Sequence, residues 1–116
     1  MANYDKRPLV FEAKGNGSYF YRWNITEVQR DDITSYNCDE VTIWLPLSKE
    51  VVKRTVIEYL WGGDHEKKLI NEYNSVQLGI IYGDEADAII ANYKAFLTER
   101  IAIKKMVDND WNDANL

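Results

Sequence analysis

The chain has 116 residues, 14 Lys and Arg against 19 Asp and Glu, and a formal charge of −5. Its 46% hydrophobic and 13% aromatic content can fill a packed core, which excludes global disorder. The acidic balance argues against general binding to nucleic acid or to an anionic membrane, both of which need a basic patch.

In chain order, the first part reads with period 2. Leu9, Phe11 and Ala13 alternate with Val10, Glu12 and Lys14, and Gly15-Asn16-Gly17 supplies a hairpin turn. Tyr19, Tyr21, Trp23 and Ile25 then alternate with Phe20, Arg22, Asn24 and Thr26. The run 30–37 is polar and aperiodic and is expected to be a loop, within a connection at 29–38. Val41, Ile43 and Leu45 alternate with Thr42 and Trp44 before Pro46 stops the ladder. The odd positions Leu9, Phe11, Tyr19, Tyr21, Trp23, Ile25, Val41, Ile43 and Leu45 form one expected buried face, the mark of an antiparallel sheet.

The period then becomes helical. Ser48 is a good N-cap for a helix over 49–61, with Val52, Val56, Tyr59 and Leu60 on its stripe. Gly62-Gly63 ends it. Asp64 caps a second helix carrying Leu69, Ile70, Tyr73, Val76 and Ile80, which Tyr82-Gly83 breaks. Asp84 caps the third and longest, with the stripe Ala86, Ile89, Ile90, Tyr93, Phe96, Leu97, Ile101, the stem of Lys104, and Val107. The expected fold is therefore α+β: a three-stranded antiparallel meander packed against three C-terminal helices. It is read as a single domain over 1–116, with a sheet half at about 8–46, a helical half at about 48–107 and a fraying polar tail at 108–116.

Few residues suggest chemistry. No apolar run approaches the roughly 18 residues of a membrane span, and residues 1–8 carry no apolar signal stretch. Cys38 is the only cysteine, so no internal disulfide or cysteine cluster is expected. Asp39 and Glu40 beside it would raise its thiol pKa rather than activate it. His65, in Asp64-His65-Glu66, could be a general base oriented by a carboxylate, but a solvated first-turn residue is the simpler reading. Asp108, Asp110, Asn112 and Asp113 open like a calcium loop but lack the glycine at its sixth position. Asp31-Asp32 and Asp39-Glu40 bracket the expected loop as a conceivable weak cation site. No catalytic residue, cofactor or metal is assigned. The even positions Phe20, Arg22 and Trp44 are the candidate partner-binding residues, since Trp, Phe and Arg are enriched at interface cores. The alternative is that they pack on one another or under the loop and shield the sheet.

The runs Tyr21-Arg22-Trp23-Asn24-Ile25, Val41-Thr42-Ile43-Trp44 with Pro46, Val56-Ile57, Leu60-Trp61-Gly62, Glu66-Lys67-Lys68-Leu69-Ile70-Asn71-Glu72-Tyr73-Asn74, Gln77-Leu78-Gly79 and Tyr93-Lys94-Ala95-Phe96-Leu97-Thr98-Glu99-Arg100 carry a resemblance. Over about 19–107 the chain resembles small uncharacterised proteins encoded in phage and prophage gene clusters of gut bacteria. Phe96-Leu97-x-x-Arg100 with Ile103-Lys104 is also similar to the C-terminal helices of phage tail-fibre assembly and tail accessory proteins. The resemblance implies a non-enzymatic structural or assembly accessory protein acting through protein contacts. It also implies residence in the cytoplasm of a bacterial host or in the phage particle, a homo-oligomer being a natural further expectation. The alternative function is a free, acidic host-directed protein, either regulatory or anti-defence. An enzyme built on His65 is a third reading. Neither nucleic acid nor membrane is an expected partner.

Overall fold

In the computed structural model, which describes residues 1–115, six elements follow in order: β1 (Ala2–Tyr4), β2 (Phe11–Ala13), β3 (Ser18–Arg30), β4 (Ile33–Trp44), α1 (Lys49–Gln77) and α2 (Asp84–Ala114). The class is α+β, with one antiparallel sheet in the order β1-β4-β3-β2. The strands β2, β3 and β4 form the expected meander. β1 is a fourth strand on the outer edge of β4, pairing Ala2 with Cys38 and Tyr4 with Tyr36. Three residues are too few to show a period, so nothing in the pattern announced it.

The expected loop at 29–38 is strand. Asp31 and Asp32 sit at φ 47° and 68°. Two consecutive left-handed residues make the tight turn whose twist matches that of the strands it joins. Thr34, Ser35, Tyr36 and Asn37 continue the ladder opposite Gln29, Val28, Glu27 and Thr26. A bulge at Asn24, where φ is 57°, puts two residues of β3 against one of β4 and reverses the alternation beyond it.

The chain divides into two compact units: residues 1–55 with the chain from Val107 onward, and residues 56–106. In the first unit the buried sheet face is Tyr21, Trp23, Val41 and Ile43. Leu9 and Leu45 were expected there, but they fall outside the strands and are 63% and 56% exposed. Val52 and Val107 are fully buried, Phe11 meets Trp111 edge-on at 6.0 Å, and the Tyr21 hydroxyl donates to Asp110 Oδ2 at 2.6 Å. The segment after 107 is therefore the last part of α2, which runs to Ala114, and not a frayed tail. Its polar residues are anchored by bonds to the sheet and to the first turns of α1.

Two helical elements are present where three were expected. Ser48 Oγ accepts from the Val51 amide at 3.2 Å and caps α1. Gly62 interrupts α1 with φ 69° and ψ 163°, a conformation essentially confined to glycine. The helix resumes and ends at Gln77 in a left-handed cap at Gly79: the Gly79 amide donates to Val76 O and the Ile80 amide to Ser75 O, each at 3.0 Å. In the second unit Leu69, Ala86, Ile89 and Phe96 are buried. Trp61 meets Phe96 edge-on at 5.2 Å, and Tyr73 meets Tyr93 at 4.8 Å. Leu97, Ile101 and Ile80, expected in the buried stripes, are exposed. Among the described residues no helix is long and apolar enough to cross a membrane.

Candidate functional site

The face of the sheet opposite Tyr21 and Trp23 carries a cluster with one charged or phenolic residue from each strand. Pairing puts Arg22 of β3 opposite Glu40 of β4, and Glu12 of β2 opposite Phe20 of β3. Residues two apart share a face, so Phe20, Arg22, Glu40 and Thr42 stand together. Tyr4 of β1 completes the row.

Arg22 is at its centre and only 1% exposed. Its Nε donates to Glu40 Oε1 at 3.1 Å, and its Nη2 donates to Glu12 Oε1 at 2.9 Å and to the Tyr4 hydroxyl at 3.1 Å. Nη1 donates to Leu9 O at 3.0 Å. The Tyr4 hydroxyl in turn donates to Glu40 Oε1 at 2.6 Å. The guanidinium also lies over the rings of Phe20 at 4.5 Å and Tyr4 at 4.7 Å. Lys14 Nζ lies 4.3 Å from the Phe20 ring centre and donates to Thr42 Oγ1 at 3.4 Å. The bond to Glu40, with burial behind it, holds the Tyr4 phenol above its usual range.

This arrangement corrects the place of one candidate. Arg22 was expected on an accessible patch, but its donors are spent on three strands and a backbone carbonyl. A buried guanidinium is tolerated only when so satisfied. Phe20 is half-buried against it. Trp44 is 61% exposed, opposite Ser18 at the end of the sheet, with Leu45 beside it. Of the three candidates, Trp44 presents the largest open surface.

The remaining polar residues have structural surroundings. Cys38 is buried, and burial first, then Glu40, pushes its thiol above the ordinary range. His65 is exposed and its ring meets Phe96 edge-on at 5.8 Å, while Glu66 beside it pairs with Arg100 at 3.5 Å. Asp31-Asp32 occupy the β3–β4 turn and Asp39-Glu40 the middle of β4. Six residues of extended chain, a span of roughly 23 Å from Asp32 to Asp39, separate the two pairs, so they do not bracket a common ion site. Among the described residues no group of three His, Cys, Asp or Glu side chains is placed to hold a metal. Asp108 and Asp110, read from sequence as part of a failed calcium loop, bind Lys53 at 2.8 Å and Tyr21 at 2.6 Å. Tyr4 and Glu12 are not singled out from sequence, and Glu40 enters there only as a neighbour of Cys38 and as part of a conceivable cation site. Their charges and hydroxyl carry no local signal, because the cluster exists only once four strands are aligned.

Comparison with known proteins finds no match: no family model, curated relative or solved structure is similar to the chain.

Proposed function

We propose that the chain is a non-catalytic contact protein serving the structure or assembly of a phage or prophage particle, with Trp44 as an anchor for a protein partner. The observation that carries the contact role is the 61% exposure of Trp44 at the end of a sheet whose face is tied down by Arg22. A large aromatic side chain on a rigid strand loses little freedom on binding, and tryptophan is the residue most enriched among binding hot spots. Phe20, held between Lys14 and Arg22, supports that surface and is not itself the anchor. The phage setting rests on the resemblance of the residue runs described above, and it puts the protein in the cytoplasm of a bacterial host and in the assembling particle.

The test is mass spectrometry of particles purified after induction of a host strain carrying the gene. Stoichiometric protein in the particle makes it a structural part. Protein in assembly intermediates alone makes it an accessory factor. Absence from both rejects the phage reading. Cross-linking with wild type and Trp44→Ala then tests the anchor. A partner that cross-links equally to both rejects Trp44.

A further inference from the structure

The exposed side of α2 carries a second, regular stripe beside the one buried against α1. Asp87, Ile90, Lys94, Leu97, Ile101 and Lys104 follow one another at alternating steps of three and four residues, the repeat of a coiled-coil seam. The buried positions Ala86, Ile89 and Phe96, with the half-buried Tyr93, repeat in the same way one residue earlier. The two stripes are therefore neighbours, about 100° apart round the helix. Leu97 is 37% and Ile101 54% exposed, Ile90 and Lys104 are half-buried, and Asp87 and Lys94 are open. All six lie in the second compact unit.

The order of these six residues is self-complementary. Asp87 and Lys104 are equidistant from a point between Ala95 and Phe96, as are Ile90 and Ile101, and Lys94 and Leu97. Two antiparallel copies of α2 crossing at that point would set Asp87 against Lys104 twice and Ile90 against Ile101 twice. Each Lys94 would lay its aliphatic stem along a Leu97 and keep its ammonium at the rim. Parallel pairing would oppose Asp87 to Asp87 and Lys104 to Lys104, and like charges exclude it. Asp84 and Glu85 flank one end of the seam and Lys105 the other, which keeps the same polarity; the acidic last turns of α2, with Asp108, Asp110 and Asp113, lie beyond the seam in the other compact unit.

We propose that the occupant of this face is a second copy of the chain, docked antiparallel along α2 with a two-fold axis near 95–96. The seam spans 18 residues, roughly 26 Å of helix from Asp87 to Lys104. This two-fold contact is isologous and closes on itself, so the assembly stops at a dimer. The dimer deepens the contact role proposed above by naming one partner. It does not depend on the phage setting or on Trp44, which lies in the other unit.

The test is sedimentation equilibrium of the full-length chain at several concentrations. The wild type is expected to dimerise, with weaker association as salt is raised. Ile101→Asp is expected to be monomeric with an unchanged helical circular dichroism signal. Asp87→Lys and Lys104→Asp are each expected to weaken the dimer about tenfold by opposing like charges, and the double variant to recover most of that loss. A wild type that stays monomeric throughout overturns the proposal, as does a dimer indifferent to Ile101→Asp. Failure of the double charge exchange to recover the affinity overturns the antiparallel register. None of these results bears on cross-linking through Trp44.

Discussion

Tyr21 and Asp110 stand 89 residues apart in sequence, and the phenol of one donates to the carboxylate of the other at 2.6 Å. The bond joins the first part of β3 to the last turns of α2. It also explains why an acidic, polar stretch stays helical there.

Burial, followed by Asp110, pushes the Tyr21 phenol far above its ordinary value of 10.0. The folded chain therefore keeps this proton at pH values where the unfolded chain has lost it. The contribution is complete below pH 10 and falls as pH rises above it, by about 1.4 kcal/mol per pH unit. Urea midpoints taken across that range should drop for the wild type and drop less steeply for Tyr21→Phe. Equal slopes would show that Tyr21 ionises freely in the folded state.

Removing Arg22 should be among the most damaging single changes. Arg22→Ala leaves Glu40 and Tyr4 without their cation and empties the space between two rings, and about 3–5 kcal/mol is expected. Arg22→Lys keeps the charge but not the planar fork that reaches Glu12, Glu40 and Leu9 O together, so it should rescue only part of the loss. Denaturant midpoints of the two variants decide this, and a fully stable Lys variant would count against the geometry.

Asp108 gives an acid counterpart. Its bond to Lys53 at 2.8 Å, with Lys49 nearby, holds its carboxyl below the ordinary 3.8. A carboxylate with a depressed folded-state pKa contributes stability that is present above the unfolded value and lost as pH falls through the folded one. Wild type should exceed Asp108→Asn in urea midpoint at neutral pH. The gap should close well below pH 3.8, and a gap that persists in acid would show that the ion pair is not its source.

Cys38 should resist thiol reagents in the native protein. It is buried, and burial and Glu40 raise its pKa, so modification requires an opening of the sheet. Modification at pH 8 is expected to be on the order of a hundredfold slower than in denaturant. Comparable rates would mean that β1 leaves β4 readily.

The parts legible in the sequence were those set by neighbours in the chain. Alternation around Tyr21 and Ile43 gave strands, and Ser48 and Gly62 marked a cap and a break because their chemistry acts within one turn. β1 and residues 30–37 were not legible, since polar strands show no apolar period and are held by pairing at long range. Arg22 was misplaced for the same reason. Whether an arginine on a sheet face meets water depends on what stands beside it, and part of the cover of Arg22 is Tyr4, on a three-residue strand with no period of its own. The order at the end of α2 is not legible locally because its anchors, Tyr21 and Lys53, lie 89 and 55 residues away.

β3 and β4 are 13 and 12 residues long, whereas β1 and β2 have three each. β2 pairs with residues 19–21 and β1 with residues 36–38, so the hairpin projects beyond both edge strands as a two-stranded ribbon of residues 28–30 and 33–35. Ribbons of two strands are marginal in water. Hydrogen exchange is expected to show a gradient in the sheet: amides around Tyr21 and Val41 should open only with the whole unit, while those near Val28 and Ser35 should open alone. Proteolysis follows the same gradient, and Arg30, next to the Asp31-Asp32 turn, is where trypsin should make its first cut.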